Sequence, residues 1–372
     1  MTRHRVACVA GARPNFMKVA PLLRAMADHP RLEPLFVHTG QHYDLNMSGT
    51  FLDELGLPAP DVHLGVGREA DGHPTARIMD AFATALGTLA PDLVLVVGDV
   101  NSTVACSLVA AQRGIPVGHV EAGLRSFDRT MPEEINRLVT DRVSDLLFVT
   151  EQSGMANLER EGIAAERVHF TGNTMIDTLT RLLPKIDQAR AALHLGLAPK
   201  SYAVVTLHRP SNVDAREELV PLVDLLRETA ARLPVVFPVH PRTRASLESF
   251  GLWSALAETP GLHALEPQPY TEFLSLVKDA ALVLTDSGGI QEETTFLGVP
   301  CITRRRSTER PSTVDLGTNV LVGDDLARAR EEIARATNGH AKKGTVPPLW
   351  DGHCAERIVA IVDQWLVPVR QP

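Results

Sequence analysis

The stretch from Ala281 to Pro300, ALVLTDSGGIQEETTFLGVP, constrains the fold of this chain most tightly. The apolar run Ala281 to Leu284 reads as a buried strand, Thr285-Asp286-Ser287-Gly288-Gly289 interrupts it, and Ile290 to Leu297 resumes at helical spacing. Strand, glycine turn and helix start follow one another as they do in α/β proteins. A helix N-terminus exposes unpaired N–H groups and the positive end of its dipole, and two glycines let an anion come close. A phosphate suits that place. Glu292 and Glu293 follow within one turn and would repel a phosphate beside them, which directs one of them to the hydroxyls of a ribose or sugar. The plain alternative is a strand-to-helix turn with no guest.

The length of 372 residues exceeds one ordinary core, so two domains are expected. Charged residues at 22%, hydrophobic residues at 44% and 26 glycines exclude a disordered or fibrous chain. A formal net charge of −8 argues against a nucleic-acid partner, which calls for a basic face. No apolar run reaches the roughly 20 residues of a membrane span, so no membrane partner is expected. The N-terminal MTRHRVACVAGARPNF turns to glycine and arginine after a short strand, unlike a secretory leader. Cys8, Cys106, Cys301 and Cys354 lie far apart without CxxC pairing, which fits a reducing cytoplasm and indicates neither a disulfide framework nor a zinc site.

Strand and helix patterns alternate twice over. Strands are expected at Arg5 to Ala10, Leu35 to Thr39, Leu93 to Val97, Val117 to Val120 and Leu146 to Thr150, with helices at Val19 to Ala27 and Pro74 to Leu89. A break falls at Thr171-Gly172-Asn173, followed by a polar helix carrying Lys185, Asp187 and Arg190. The pattern restarts at Tyr202 to Thr206, with further strands near Val235 to Val239, His263 to Leu265, Leu282 to Leu284 and Pro300 to Thr303. The expected fold class is α/β, with two Rossmann-like doubly wound domains facing a cleft. Ligands in such sheets bind beyond the carboxyl ends of the strands, where the polar clusters of this chain fall.

Gly11-Ala12-Arg13-Pro14-Asn15-Phe16-Met17-Lys18 sets positive charge at the end of the first strand but lacks the later glycines of a dinucleotide fingerprint, so no NAD is expected. Asp99, in Gly98-Asp99-Val100-Asn101, reads alone as a helix N-cap. Glu121 ends a strand, where a carboxylate has no propensity reason to be, and so points to function. Pro132-Glu133-Glu134 also fits an ordinary helix start. His208-Arg209-Pro210 and His240-Pro241-Arg242 close two strands of the second half; a lone histidine is more often structural than catalytic, but two at corresponding strand ends balance the structural and the functional readings. Arg304-Arg305-Arg306 with Glu309-Arg310-Pro311 places basic charge after another strand, where a solvated loop explains it equally well.

GARPNFMKVAP, TGQH at 39 to 42, GDVNST, HVEAGLRSFDRTMPEEINR, TLHRPSNVD, DSGGIQEE and TERPST closely resemble, in order and spacing, the non-hydrolysing UDP-N-acetylglucosamine 2-epimerases. The likeness covers about residues 5 to 365. It implies the two-domain arrangement of GT-B glycosyltransferases, with an N-terminal domain at 1–172, a UDP-binding domain at 173–354 and a C-terminal helix at 355–372 that crosses back. It further implies a homodimer that interconverts UDP-N-acetylglucosamine and UDP-N-acetylmannosamine, with no metal and no cofactor. Matched motif by motif, Asp99, Glu121, Glu133 and His208 are the catalytic set. Arg13, Lys18 and Arg137 serve phosphate or the carboxylate network, Ser287, Gly288 and Gly289 the phosphates, and Glu293 the ribose.

In bacterial members a second UDP-N-acetylglucosamine binds beside the active site as activator, and the matching positions are Gln41, His42, Glu134, Arg209 and His240. Tyr43-Asp44, Pro210 and Arg242 depart from the family pattern around these positions, which leads to an expectation of weaker control. Two other readings share the nucleotide site: a GT-B glycosyltransferase, which has no reason to keep Asp99, Glu121 and Glu133 together, and a non-catalytic nucleotide-sugar sensor. Incubation with UDP-N-acetylglucosamine alone separates the three.

Overall fold

The apolar runs become short buried strands lying side by side in one direction, with helices as the crossovers that parallel neighbours require. The computed structural model describes residues 3–40, 51–67 and 73–367. By internal packing the chain divides into one unit of Met1–Arg181 with Pro348–Pro372 and a second of Leu182–Pro347.

In the first unit β1 (His4–Ala10), β2 (Leu32–His38), β3 (Val62–His63), β4 (Leu93–Val97), β5 (Val117–Ala122), β6 (Leu146–Val149) and β7 (Val168–Phe170) form one sheet. Its order is β3-β2-β1-β4-β5-β6-β7. In the second unit β8 (Ala203–Thr206), β9 (Val235–Pro238), β10 (Leu262–Leu265), β11 (Leu282–Thr285), β12 (Cys301–Thr303) and β13 (Asn319–Leu321) form another, in the order β10-β9-β8-β11-β12-β13. Both sheets are doubly wound, as the alternating pattern predicts. Strand order reverses between β1 and β4 in one sheet and between β8 and β11 in the other, so each has a crevice beyond those strand ends.

One core packs Ala7, Val9, Val94 and Val96 beneath Ile78, Phe82 and Leu86 of the helix Pro74–Leu89. The other packs Val205, Phe237 and Leu284 with Leu222 and Leu226 of the helix Arg216–Ala230. The first helix starts earlier than its apolar spacing suggests, at Arg13 rather than Val19. Asn15 explains this: its side-chain oxygen accepts from Ala12 N at 3.0 Å, and its amide donates to Val97 O at 3.0 Å. The ends of β1 and β4 are thereby fastened together.

The expected boundary after residue 172 falls just before a continuous helix, Thr174–Ala189, and this helix carries the chain from one unit into the other. Gly172 has φ +89°, and a side chain there would run into the Leu349 carbonyl. The last helix, Cys354–Leu366, packs in the first unit against the helix Arg13–Ala27. Its first amides, Cys354 N and Ala355 N, donate to Asp177 at 3.0 and 2.7 Å. Burial pushes the Asp177 carboxyl up to about 6 against the pull of those amides. All four cysteines are buried and free, and no helix among the described residues is long and apolar enough to cross a membrane.

Candidate active site

Polar side chains gather beyond β4 and β5 in the first unit. Asp99 is not a cap: Val100 holds that position before the helix Asn101–Gln112, without a side-chain capping bond. The Asp99 carboxylate instead receives Arg137 Nη1 at 2.5 Å, and its backbone carbonyl accepts from Asn136 at 2.8 Å. Both partners sit on the helix Pro132–Val143, which begins with proline as the sequence predicts.

Glu121 is buried, has φ +77°, and lies where β5 loses register with β6 between Val120 and Ala122. A non-glycine residue there costs on the order of 1–3 kcal/mol and persists only where its surroundings over-determine it. Those surroundings are visible. Lys18 Nζ forms a buried ion pair with Glu121 Oε2, and Gly98 packs against the same ammonium. Two residues before Glu121, His119 lies 2.6 Å from Asp141 through Nδ1 and 2.8 Å from the Gly98 carbonyl through Nε2. Asp141 also accepts from Gly123 N at 3.1 Å and pairs with Arg125 at 2.7 Å. Burial would raise the Asp141 carboxyl, but His119 and Arg125 outweigh it and hold it low.

Glu134, expected to serve a second ligand, is wholly engaged within the unit. Its carboxylate accepts from Ser126 N and Oγ at 2.9 Å each, from Phe127 N at 3.1 Å and from Arg137 Nη2 at 2.7 Å. Burial would raise it, yet the Ser126 and Arg137 donors bring it below the usual carboxylate range. Glu133 is exposed in the first turn of the same helix, outside this bonded cluster. Arg13 lies over the Phe51 ring at 4.4 Å. Gln41 and His42, with Tyr43 and Asp44, lie outside the described residues.

In the second unit the crevice between β8 and β11 carries His208 and the glycine turn. Ser287 precedes the helix Gly288–Leu297, and Ser287, Gly288 and Gly289 are half-buried. A Cβ on Gly288 would stand 3.0 Å from Arg310 Nη1, so a guanidinium faces the helix N-terminus. The basic loop after β12 is only partly solvated: Arg306 is exposed, whereas Arg304, Arg305 and Arg310 are buried, and Glu309 binds Arg305 at 2.6 and 2.9 Å. Glu292 pairs with Arg310 Nε at 3.0 Å. Glu293 accepts from the Tyr270 hydroxyl at 2.9 Å, and burial, with Glu292 beside it, pushes its carboxyl up to about 8.

His208 rests on Asp286, a fully buried carboxylate 2.9 Å from its Nδ1. The His240 ring lies 5.4 Å from that of His208, and His240 Nδ1 accepts from Arg242 N at 3.2 Å. Arg209 Nε donates to the Asp286 carbonyl at 3.1 Å. Sequence reasoning missed Asp286, His119, Asp141 and Tyr270 as members of these clusters. Only for Asp286 was there a signal, its place between strand and glycine turn.

The chain is thus a doubly wound α/β protein of two units, the first carrying Asp99 and Glu121 beyond the neighbouring strands β4 and β5 and the second a glycine turn faced by the Arg310 guanidinium. The family model described as UDP-N-acetylglucosamine 2-epimerase matches residues 24–363. The chain is 39% identical over 363 residues to the UDP-N-acetylglucosamine 2-epimerase of Methanocaldococcus jannaschii, covering 96% of this chain and 98% of that one. It is also 39% identical over 323 residues to the UDP-2,3-diacetamido-2,3-dideoxy-D-glucuronate 2-epimerase of Pseudomonas aeruginosa, covering 86% and 88%. The crystal structure of the M. jannaschii enzyme with UDP-N-acetylglucosamine and UDP matches with a TM-score of 0.88 at 38% identity, over 97% of this chain and 99% of that one. The chain belongs to the UDP-N-acetylglucosamine 2-epimerase family and is an isomerase of nucleotide sugars.

Proposed function

We propose that the protein inverts carbon 2 of UDP-N-acetylglucosamine by eliminating UDP to give 2-acetamidoglucal and adding UDP back. The proton on carbon 2 is weakly acidic, so its removal is coupled to departure of a good leaving group. A carboxylate takes that proton, the electron pair forms the C1–C2 double bond, and the anomeric C–O bond breaks with its electrons on the diphosphate. On return, carbon 2 receives a proton on the opposite face and the diphosphate oxygen re-forms the bond to carbon 1. Atoms and charge balance without a cofactor.

The observation that carries this reading is the strained, buried Glu121 beside Lys18, with Asp99 clamped by Arg137 at the neighbouring strand end. In this reading Asp99, Glu121 and Glu133 move the proton and stabilise positive character on the ring. Ser287, Gly288 and Gly289, faced by Arg310, receive the growing negative charge of the diphosphate. His208 supports the leaving group, Glu293 takes the ribose, and Arg13 serves phosphate. The working form is a homodimer, which light scattering checks.

Turnover of UDP-N-acetylglucosamine in deuterated water, followed by NMR, tests the mechanism. Solvent deuterium is expected at carbon 2 of the mannosamine epimer, and complete retention of the substrate's hydrogen overturns it. The same assay with a UDP-2,3-diacetamidoglucuronate separates the substrates named for relatives of equal identity.

A further inference from the structure

We infer that Asp286 is the positioning residue for His208, fixing the ring in the Nδ1–H tautomer so that Nε2 alone faces the ligand. This deepens the proposed role of His208 and rests on it. Asp286 directly follows β11, and His208 follows the adjacent strand, β8. Register places Thr285 opposite Thr206, so the two turns start level and side by side. The Asp286 carboxylate is fully buried and collects a ring of donors. His208 N approaches its two oxygens at 3.1 and 3.0 Å, Arg209 N at 2.9 Å, Asn212 Nδ2 at 2.9 Å and His208 Nδ1 at 2.9 Å. Burial works against ionisation here, but His208, Asn212 and the Arg209 amide outweigh it and keep the carboxyl below its usual range.

An ionised carboxylate only accepts hydrogen bonds, so the nitrogen facing it carries the hydrogen. Nδ1 is taken by Asp286 while the His208 side chain stays 38% exposed. A ring fixed in this way supports the leaving group through Nε2, which gives a proton to the diphosphate oxygen as the anomeric C–O bond breaks and takes it back as the bond re-forms. The residue after Asp286 opens the Ser287-Gly288-Gly289 turn, so one carboxylate sets the histidine while its own backbone leads into the anion-accepting amides. Arg209 Nε on the Asp286 carbonyl ties the two turns a second time.

The wild-type protein tests the tautomer directly. With histidine labelled in 15N, the His208 signal is assigned by its loss in His208→Gln. Cross-peaks of an Nδ1–H ring at a pH where it is neutral are expected, and an Nε2–H ring overturns the inference whatever the activity of any variant. Asp286→Asn then probes the consequence: its amide can turn a donor toward Nδ1 and reverse the tautomer. Turnover is expected to fall about a hundredfold, the scale of a lost proton-transfer partner, with UDP affinity by calorimetry within about threefold. Placed on His208→Gln, the same substitution is expected to cost little more, because residues acting as one unit are not additive. An equal loss in both backgrounds assigns Asp286 to structure alone. Full activity in His208→Gln overturns the role proposed for His208, while the tautomer result still stands on its own.

Discussion

His119 and Asp141 form a fully buried pair, 2.6 Å apart, and the far nitrogen of the same ring reaches the Gly98 carbonyl at 2.8 Å. Gly98 precedes Asp99, and Asp141 accepts from Gly123 just beyond Glu121. The pair therefore braces both carboxylate-bearing strand ends from beneath. His119→Ala is expected to destabilise the first unit by roughly 3 kcal/mol, the scale of leaving buried polar partners unsatisfied. Turnover should fall with UDP affinity nearly unchanged. Thermal melting alongside calorimetry checks both, and unaltered melting counts against the brace.

Asp99→Asn, Glu121→Gln and Glu133→Gln are each expected to lower turnover by about a hundredfold or more, the scale of lost acid–base catalysis, with UDP binding within a few fold. Their stabilities should part ways. Glu121→Gln leaves buried Lys18 without its counter-charge and should lower the melting temperature, whereas exposed Glu133 should be replaced at no cost. Calorimetry in which UDP affinity collapses in all three reassigns them to structure.

Glu293 gives stability a pH dependence with a definite sign. Its carboxyl is raised by burial from 4.5 to about 8, so the folded state favours the neutral form. That contribution is complete below about 4.5, the ordinary glutamate value, and is lost as pH rises through about 8. Glu293→Gln keeps the shape without the titration. Between about pH 6 and about pH 9 the wild-type melting temperature should fall more than that of the variant, and parallel curves would refute the shift.

Most of the layered pattern is legible because parallel strands buried on both faces read as unbroken apolar runs, as at Leu93–Val97. The edge strands Val62–His63, Val168–Phe170 and Asn319–Leu321 are not, since two or three residues at a sheet edge leave no period to read. Glu121 announced itself by standing where a strand disfavours it. Asp99 misled, because a carboxylate before a helix looks like a cap until Arg137, 38 residues away, claims it. His208 and Asp286 are 78 residues apart and meet only through the pairing of β8 with β11. The burial of Arg304 and Arg310 was left open by the sequence because their neutralising contacts include Glu218 and Glu292, which come from other helices.

Control by a second sugar nucleotide is expected to be weak, and the positions that would hold the activator explain why. All four acceptor contacts named for Glu134 are filled by its own unit, so freeing it would strip Ser126 and Arg137 of a buried partner. Pro210 opens the short helix Pro210–Val213 and holds Arg209 extended, with the Arg209 side chain turned to the Asp286 carbonyl. Arg242 binds Asp214 through Nε at 2.7 Å and Nη2 at 2.5 Å, and its backbone N–H occupies His240 Nδ1. Three of the matched groups are thus committed to internal contacts. Initial rate against UDP-N-acetylglucosamine should be hyperbolic, and UDP-N-acetylmannosamine alone should be epimerised without a lag. A sigmoidal curve, or a reverse reaction that starts only when a trace of UDP-N-acetylglucosamine is added, would show that the activator still finds its place.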